Sequence, residues 1–274
     1  MRFNSLLKLT ALLLCLYSIF GTLAVNASDT DSQYLKNIDE REQGDDSEWD
    51  VSLQLIDQNG YIRQRTGKIL RLSEGKGADK LIRQITIFLS PRNIRHVGLL
   101  SIDREGETED SMWLYLAAFK KIKRIPASKR GDNFVGTDFA YEDVKQGFEY
   151  QDYVVKSKDK RTLPEHETVD YLEIEPKTTA LKRALGYYSA HIYVLPNIYM
   201  IVRQDFFDRN GNLIKRFSAS NVEQINGIWT ARILTAHNFE TGHQTILTLD
   251  DVRYNTGLPQ SLFTKRTLLM EKIR

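Results

Sequence analysis

From residue 49 onward, apolar and polar residues alternate in short runs, and a turn signal closes almost every run. Trp49, Val51, Leu53 and Leu55 alternate with Asp50, Ser52 and Gln54. A two-residue period sends successive side chains to opposite faces, so this run reads as a half-buried β-strand. Asp57-Gln58-Asn59-Gly60 follows, and Asn-Gly suits the positive φ of a tight hairpin. Similar runs recur at 62–72, 81–89, 97–103, 112–119, 148–156, 169–175, 190–195, 198–207, 213–219, 227–236 and 245–254. Asn210-Gly211 and Thr241-Gly242 read as further hairpin tips, and Pro91 ends the third run. Short helices are expected at 140–145, 177–185 and 259–263.

About a dozen strands joined by tight turns argue antiparallel pairing. There is no β-α-β alternation and no glycine-rich loop between a strand and a helix, which excludes a doubly wound nucleotide-binding fold. No linker and no repeat breaks the pattern, so 49–274 reads as one domain. One-sided alternation leaves an apolar face that must be covered. The pattern alone favours a filled sandwich or barrel core. A sheet bent around a partly filled apolar cavity also satisfies the count, because two or three short helices cannot cover so large a face.

The chain has 274 residues. Residues 1–27 have the grammar of a cleavable signal peptide: Arg2 and Lys8, an apolar run from Ala11 to Ala24, then Val25-Asn26-Ala27. That run is short for a membrane span, which needs about 20 apolar residues. Cys15, the single cysteine, lies within it and would leave with the peptide. The exported protein would then have neither a disulfide nor a cysteine-held metal. Removing Arg2 and Lys8 from 38 basic residues leaves 36, against 36 acidic ones. A neutral chain has no global field to hold nucleic acid. Residues 28–48 are polar and acidic; Tyr34, Leu35 and Ile38 allow a short amphipathic helix over 32–41, and a frayed terminus is the other reading.

Candidate chemistry is sparse. The five histidines show no helical zinc-pair spacing, and neither His-Glu-x-x-His nor Gly-x-Ser-x-Gly occurs. No cofactor or metal is expected, and the reading is not an enzyme. One segment stands apart: an aromatic strand, Met112 to Phe119, then the basic run Lys120, Lys121, Lys123 and Arg124, then Gly136-Thr137-Asp138-Phe139. The basic run reads either as the solvent face of a strand or as a patch for an anionic headgroup or acidic partner. Asp138 is expected to cap the short helix after it, at about 1 kcal/mol.

The run DSMWLYLAAFKKIKRIPASKRGDNFVGTDFAYEDV resembles a signature of the outer-membrane lipoprotein-sorting proteins, the LolA-like periplasmic carriers. The resemblance rests on Trp113-Leu114-Tyr115-Leu116, Arg124-Ile125, Phe134 to Phe139 and Tyr141-Glu142-Asp143. Weaker similarity runs from about Trp49 to Leu268, including Asn226-Gly227-Ile228-Trp229 and the closing Leu258-Pro259 segment. Ala117 stands where the family has proline, which is expected to straighten the strand.

The resemblance implies a mainly β fold of α+β type. It would be a strongly curved, half-open antiparallel barrel of about 11–12 strands, with short helices lidding its concave apolar face. It implies a periplasmic, monomeric carrier of lipid or of lipoprotein acyl chains, partnered by an inner-membrane exporter of the resistance–nodulation–division (RND) type. A lipid- or lipoprotein-sensing module acting on a membrane partner is the alternative. Strand alternation then proposes Val51, Leu53, Leu55, Ile85, Ile87, Leu89, Leu172, Ile174 and Ile233 as cavity wall. Either Met112, Leu114 and Leu116 or Trp113 and Tyr115 would join them. The basic run would form the rim.

Overall fold

The structure is a computed structural model that describes residues 27–75, 79–104, 111–145, 149–164 and 166–270. The proposed signal peptide lies almost wholly outside the described residues. Thirteen strands form one sheet: β1 (Asp46–Ile56), β2 (Ile62–Glu74), β3 (Leu81–Ser90), β4 (Gly98–Arg104), β5 (Ser111–Leu116), β6 (Lys121–Ile125), β7 (Tyr153–Leu163), β8 (His166–Pro176), β9 (Ser189–Leu195), β10 (Met200–Phe207), β11 (Leu213–Ile225), β12 (Ile228–Asn238) and β13 (Gln244–Tyr254). Among the described residues four α-helices accompany them: α1 (Ala27–Asp39), α2 (Tyr141–Val144), α3 (Thr179–Leu185) and α4 (Lys265–Met270).

The strand order is β6-β5-β4-β3-β2-β1-β13-β12-β11-β10-β9-β8-β7, and the pairs are antiparallel. The chain therefore meanders outward to one edge, crosses to the other edge, and meanders back until β13 closes on β1. β6 and β7, consecutive in sequence, are the two ends of the sheet and do not pair. The sheet is a curved, half-open barrel, and residues 126–145 and 149–152 lie across its opening.

Both free edges carry cations. On β6, Lys121, Lys123 and Arg124 are exposed; on β7, Lys156, Lys158, Lys160 and Arg161 are exposed or nearly so. Charged edges discourage strand addition by another chain, because pairing would bury them. The basic run thus has a structural use of its own.

Two elements lid the concave face. The first is α1, polar except for Tyr34, Leu35 and Ile38. Leu35 and Ile38 are 2% and 4% exposed and pack with Leu172, Ile174, Ile192 and Phe206. Burying two aliphatic side chains is worth on the order of 3–6 kcal/mol, which explains why a mostly polar terminal segment is helical and docked. The second is the crossing segment. Phe134 stacks on Phe88 at 5.5 Å and meets Tyr141 edge-on at 5.7 Å. Arg65 donates to the Val135 carbonyl at 2.8 Å. The Gly131 N–H donates to the Ala184 carbonyl of α3 at 2.9 Å; a Cβ on Gly131 would stand 2.7 Å from the Leu185 carbonyl oxygen, so only glycine allows this approach.

The C-terminal segment covers part of the convex face. Phe263 and Leu268, from the segment that ends in α4, pack with Leu70, Leu72, Ile85, Leu100 and Tyr115. Asp46 holds that segment: it accepts from the Thr256 N–H and hydroxyl, each at 2.8 Å, from the Gly257 N–H at 2.8 Å and from the Leu258 N–H at 3.3 Å. Burial alone would raise its pKa, but these hydrogen bonds outweigh burial and hold the carboxyl below its usual range.

Three local expectations are corrected. β5 stops at Leu116, and a 3₁₀ turn over Ala117–Phe119 ends in Lys120 with φ 49°. Alanine in place of proline has not straightened the strand, because the chain still has to turn back into β6. Asp138 does not cap α2; the Asp143 carboxylate does so, accepting from the Ala140 N–H at 2.6 Å. Asp138 instead reaches β13, where its carboxylate accepts from the Thr245 hydroxyl at 2.7 Å and lies 2.5 Å from His243 Nδ1. Its own N–H donates to Thr245 Oγ1 at 3.0 Å. The Gly-Thr-Asp corner is a clasp between the crossing segment and the sheet.

Candidate functional site

Between the sheet and its two lids lies a cavity of about 390 Å³, within the range of small-molecule sites. Its wall is built from concave-face positions: Trp49, Val51 and Leu53 on β1, Ile69 on β2, Phe88 on β3, Ile228 and Leu234 on β12, and Leu247 and Leu249 on β13. Phe206 and Phe217 extend it along β10 and β11, and Ile38, Phe134, Phe139 and Val144 come from the lids. Space persists because the lids are short and because β2 carries Gly67 where a side chain would enter. A Cβ there would sit 2.8 Å from the Ile87 carbonyl oxygen and 3.5 Å from Val51 Cγ2. Trp229, 38% exposed, stands among the lining residues where the wall meets solvent.

Charged groups also face the cavity. Most are paired: Lys215 with Asp143 at 3.0 Å, Asp39 with Lys80 at 2.9 Å, and Lys145 with Glu142 at 3.3 Å and with Glu149. Arg71 and Arg41 differ. Arg71 is 3% exposed and donates to the Gly44 carbonyl at 3.3 Å; Arg41 donates to the Trp229 carbonyl at 3.2 Å. Neither guanidinium meets a carboxylate within ion-pair distance among the described residues. Burial, and then the charge of Arg41, push Arg71 down to about 10.

The expected wall residues divide. Val51, Leu53 and Ile87 line the cavity. Leu55 and Leu114 are buried in the same apolar cluster as Val51 and Phe88, with Leu116 packed against it, under the crossing segment and away from the open space. Leu172 and Ile174 are fully buried beneath α1. Ile233 is half-buried, and its neighbours Leu234 and Thr235 line the cavity in its place. Ile85 packs on the convex face with Phe263 and Leu268, and Leu89 is 39% exposed. The reason is that both faces of β2 to β4 are buried, so alternation cannot say which is concave. Of the two sets on β5, Met112, Leu114 and Leu116 face the concave core, while Trp113 and Tyr115 pack beneath the C-terminal segment. Lys120, Lys121, Lys123 and Arg124 are exposed and none lines the cavity.

Sequence reasoning passed over the polar wall positions, Arg71 above all. The signal was present: Arg71 continues the row Gly67, Ile69 at spacing two, in register with Ser47 on β1 and Gln84 on β3. All three of these polar residues are at most 3% exposed. Among the described residues no group of three or more His, Cys, Asp or Glu is placed to hold a metal. His243 and Asp138 form a dyad, yet Arg63 Nη2 lies 3.3 Å from His243 Nε2, the position a nucleophile would need.

A lidded, half-open antiparallel barrel around an apolar cavity is the architecture of LolA-like lipoprotein-sorting domains, and solved structures match it over nearly the whole chain. A putative outer membrane lipoprotein-sorting protein domain from Vibrio parahaemolyticus is 28% identical, with a TM-score of 0.75, covering 87% of this chain and 96% of that one. A DUF1329 family protein from Desulfovibrio piger is 22% identical, with a TM-score of 0.78, covering 88% and 98%. A LolA superfamily protein from Nitrosomonas europaea is 18% identical, with a TM-score of 0.61, covering 86% and 97%. The last two speak for the fold alone. A family model described as "Uncharacterized protein" matches residues 81–269, and the chain belongs to that family. No curated protein matches the chain.

Proposed function

We propose that this protein is a periplasmic carrier that takes the acyl chain of a lipid or lipoprotein into the cavity and moves it between membranes. The observation that carries the reading is the cavity itself: about 390 Å³ of space, walled mainly by aliphatic and aromatic side chains, under lids that are short and locally anchored. Each acyl CH₂ moved from water to such a wall gains about 0.8 kcal/mol, so a whole chain offsets much of the cost of leaving a bilayer. The likeness to the Vibrio lipoprotein-sorting domain supports this direction.

In this reading residues 1–27 are a cleaved export signal, the domain 49–274 acts as a monomer, and its role is binding rather than catalysis. Lys120, Lys121, Lys123 and Arg124 on the β6 edge form a surface for an acidic partner or anionic membrane, and that partner is an inner-membrane exporter of the RND type. Titration with a fluorescent acyl-chain probe tests the binding step. Saturable uptake at one site, displaced by unlabelled fatty acid, is expected. Failure of several chain lengths to bind would remove the reading.

A further inference from the structure

The apolar wall does not account for the polar end of the cavity. Arg71 occupies a concave-face position, on the row where Gly67 and Ile69 precede it, and it is 3% exposed. Among the described residues its Nε has no hydrogen-bond partner, and the hydrogen bond it makes is the long one from Nη1 to the Gly44 carbonyl. Arg41, the second arginine of the lining, gives one hydrogen bond to a backbone carbonyl. Trp49, beside them in the wall, carries an indole N–H that is buried and equally unpartnered. Two cations and a spare N–H donor thus face one space, and among the described residues no carboxylate is in ion-pair contact with either arginine. Burying a cation without an anion is costly, and an arrangement of donors with no acceptor is what an anionic ligand completes.

We propose that Arg71, Arg41 and the Trp49 indole N–H form an oxyanion site for the headgroup of the bound amphiphile, a carboxylate or a phosphate. The inference rests on the carrier reading and deepens it. The ligand enters head first: its anionic end sits against β2 and the start of β1, and its chain runs along Val51, Leu53 and Leu247. A planar guanidinium can offer two parallel N–H groups to one oxyanion, which lysine cannot.

The test compares dodecanoate, dodecyl phosphate, dodecanol, acetate and inorganic phosphate on the full-length protein by calorimetry. Dodecanoate or dodecyl phosphate is expected to bind at least about tenfold more tightly than dodecanol, since hydrogen bonds to charged groups are the strong ones. Arg71→Gln should erase that preference and leave dodecanol binding in place. Trp49→Phe, which keeps the aromatic wall, should reduce it severalfold. Equal affinity of the wild-type protein for dodecanoate and dodecanol overturns the headgroup site and leaves the carrier. Inorganic phosphate binding as tightly as dodecyl phosphate also overturns it, because the site then serves a free anion. If no long-chain compound binds, the carrier reading fails with it. The wild-type comparison decides even if Arg71→Gln does not fold.

Discussion

Replacing Asp138 with alanine severs the clasp between the crossing segment and β13. Asp138 is 2% exposed, and its carboxylate takes one hydrogen bond from the Thr245 hydroxyl at 2.7 Å and holds His243 Nδ1 at 2.5 Å. Hydrogen bonds to a charged group are worth about 1.5–3 kcal/mol each, and bonds that share one carboxylate are not additive. Thr245 is fully buried, so its hydroxyl hydrogen would have no acceptor in the variant. A loss of about 3 kcal/mol is therefore expected, where a simple helix cap would cost about 1 kcal/mol. Urea unfolding at neutral pH measures it, with Thr245→Val and the double variant completing a cycle. The double variant should lose clearly less than the sum of the two singles. A loss under 1 kcal/mol, or strict additivity, would show that the clasp is not what holds the segment.

Further consequences can be checked one at a time. Asp46→Ala should destabilise the fold by about 2–4 kcal/mol in urea, since three backbone N–H groups and a hydroxyl lose a charged acceptor. The folded-state pKa of Asp46 is depressed, so its contribution is present above the unfolded value of about 3.9 and is lost as pH falls through the folded value. Wild type and Asp46→Asn should therefore converge in stability only in strong acid. Gly131→Ala should cost about 1–3 kcal/mol, because the new Cβ meets backbone oxygens of α3, and an unchanged melting temperature would contradict that packing. Leu234→Trp should fill the cavity and weaken acyl-probe binding at least about tenfold with a melting temperature close to wild type. Lys121→Val with Lys123→Val should raise self-association on size-exclusion chromatography, as an uncharged edge admits another strand.

The meander was legible because alternation and turn chemistry are local. Asn59-Gly60, Asn210-Gly211 and Thr241-Gly242 all sit at hairpin turns, with Gly60 and Gly211 at φ 82° and 81°. What was illegible is non-local. The end of β5 at Leu116 is illegible because nothing in Ala117-Ala118-Phe119 breaks a strand by itself. On β3 the rule that polar residues face water proposes Ile85, Ile87 and Leu89 as wall; Ile87 lines the cavity, but Ile85 and Leu89 do not. There the C-terminal segment buries the convex face, and Gln84 and Thr86 turn inward beside Phe88. The residues that break the apolar rule on the concave face are the ones that give the cavity a direction.

Native mass spectrometry of the protein purified from a bacterial periplasm without detergent tests the central claim most directly. The expected spectrum shows, beside the bare chain, a non-covalent adduct with the mass of a lipid or lipidated species, removed by Leu234→Trp. Protein that is consistently bare, and stays bare after incubation with periplasmic membrane lipids, would contradict the account.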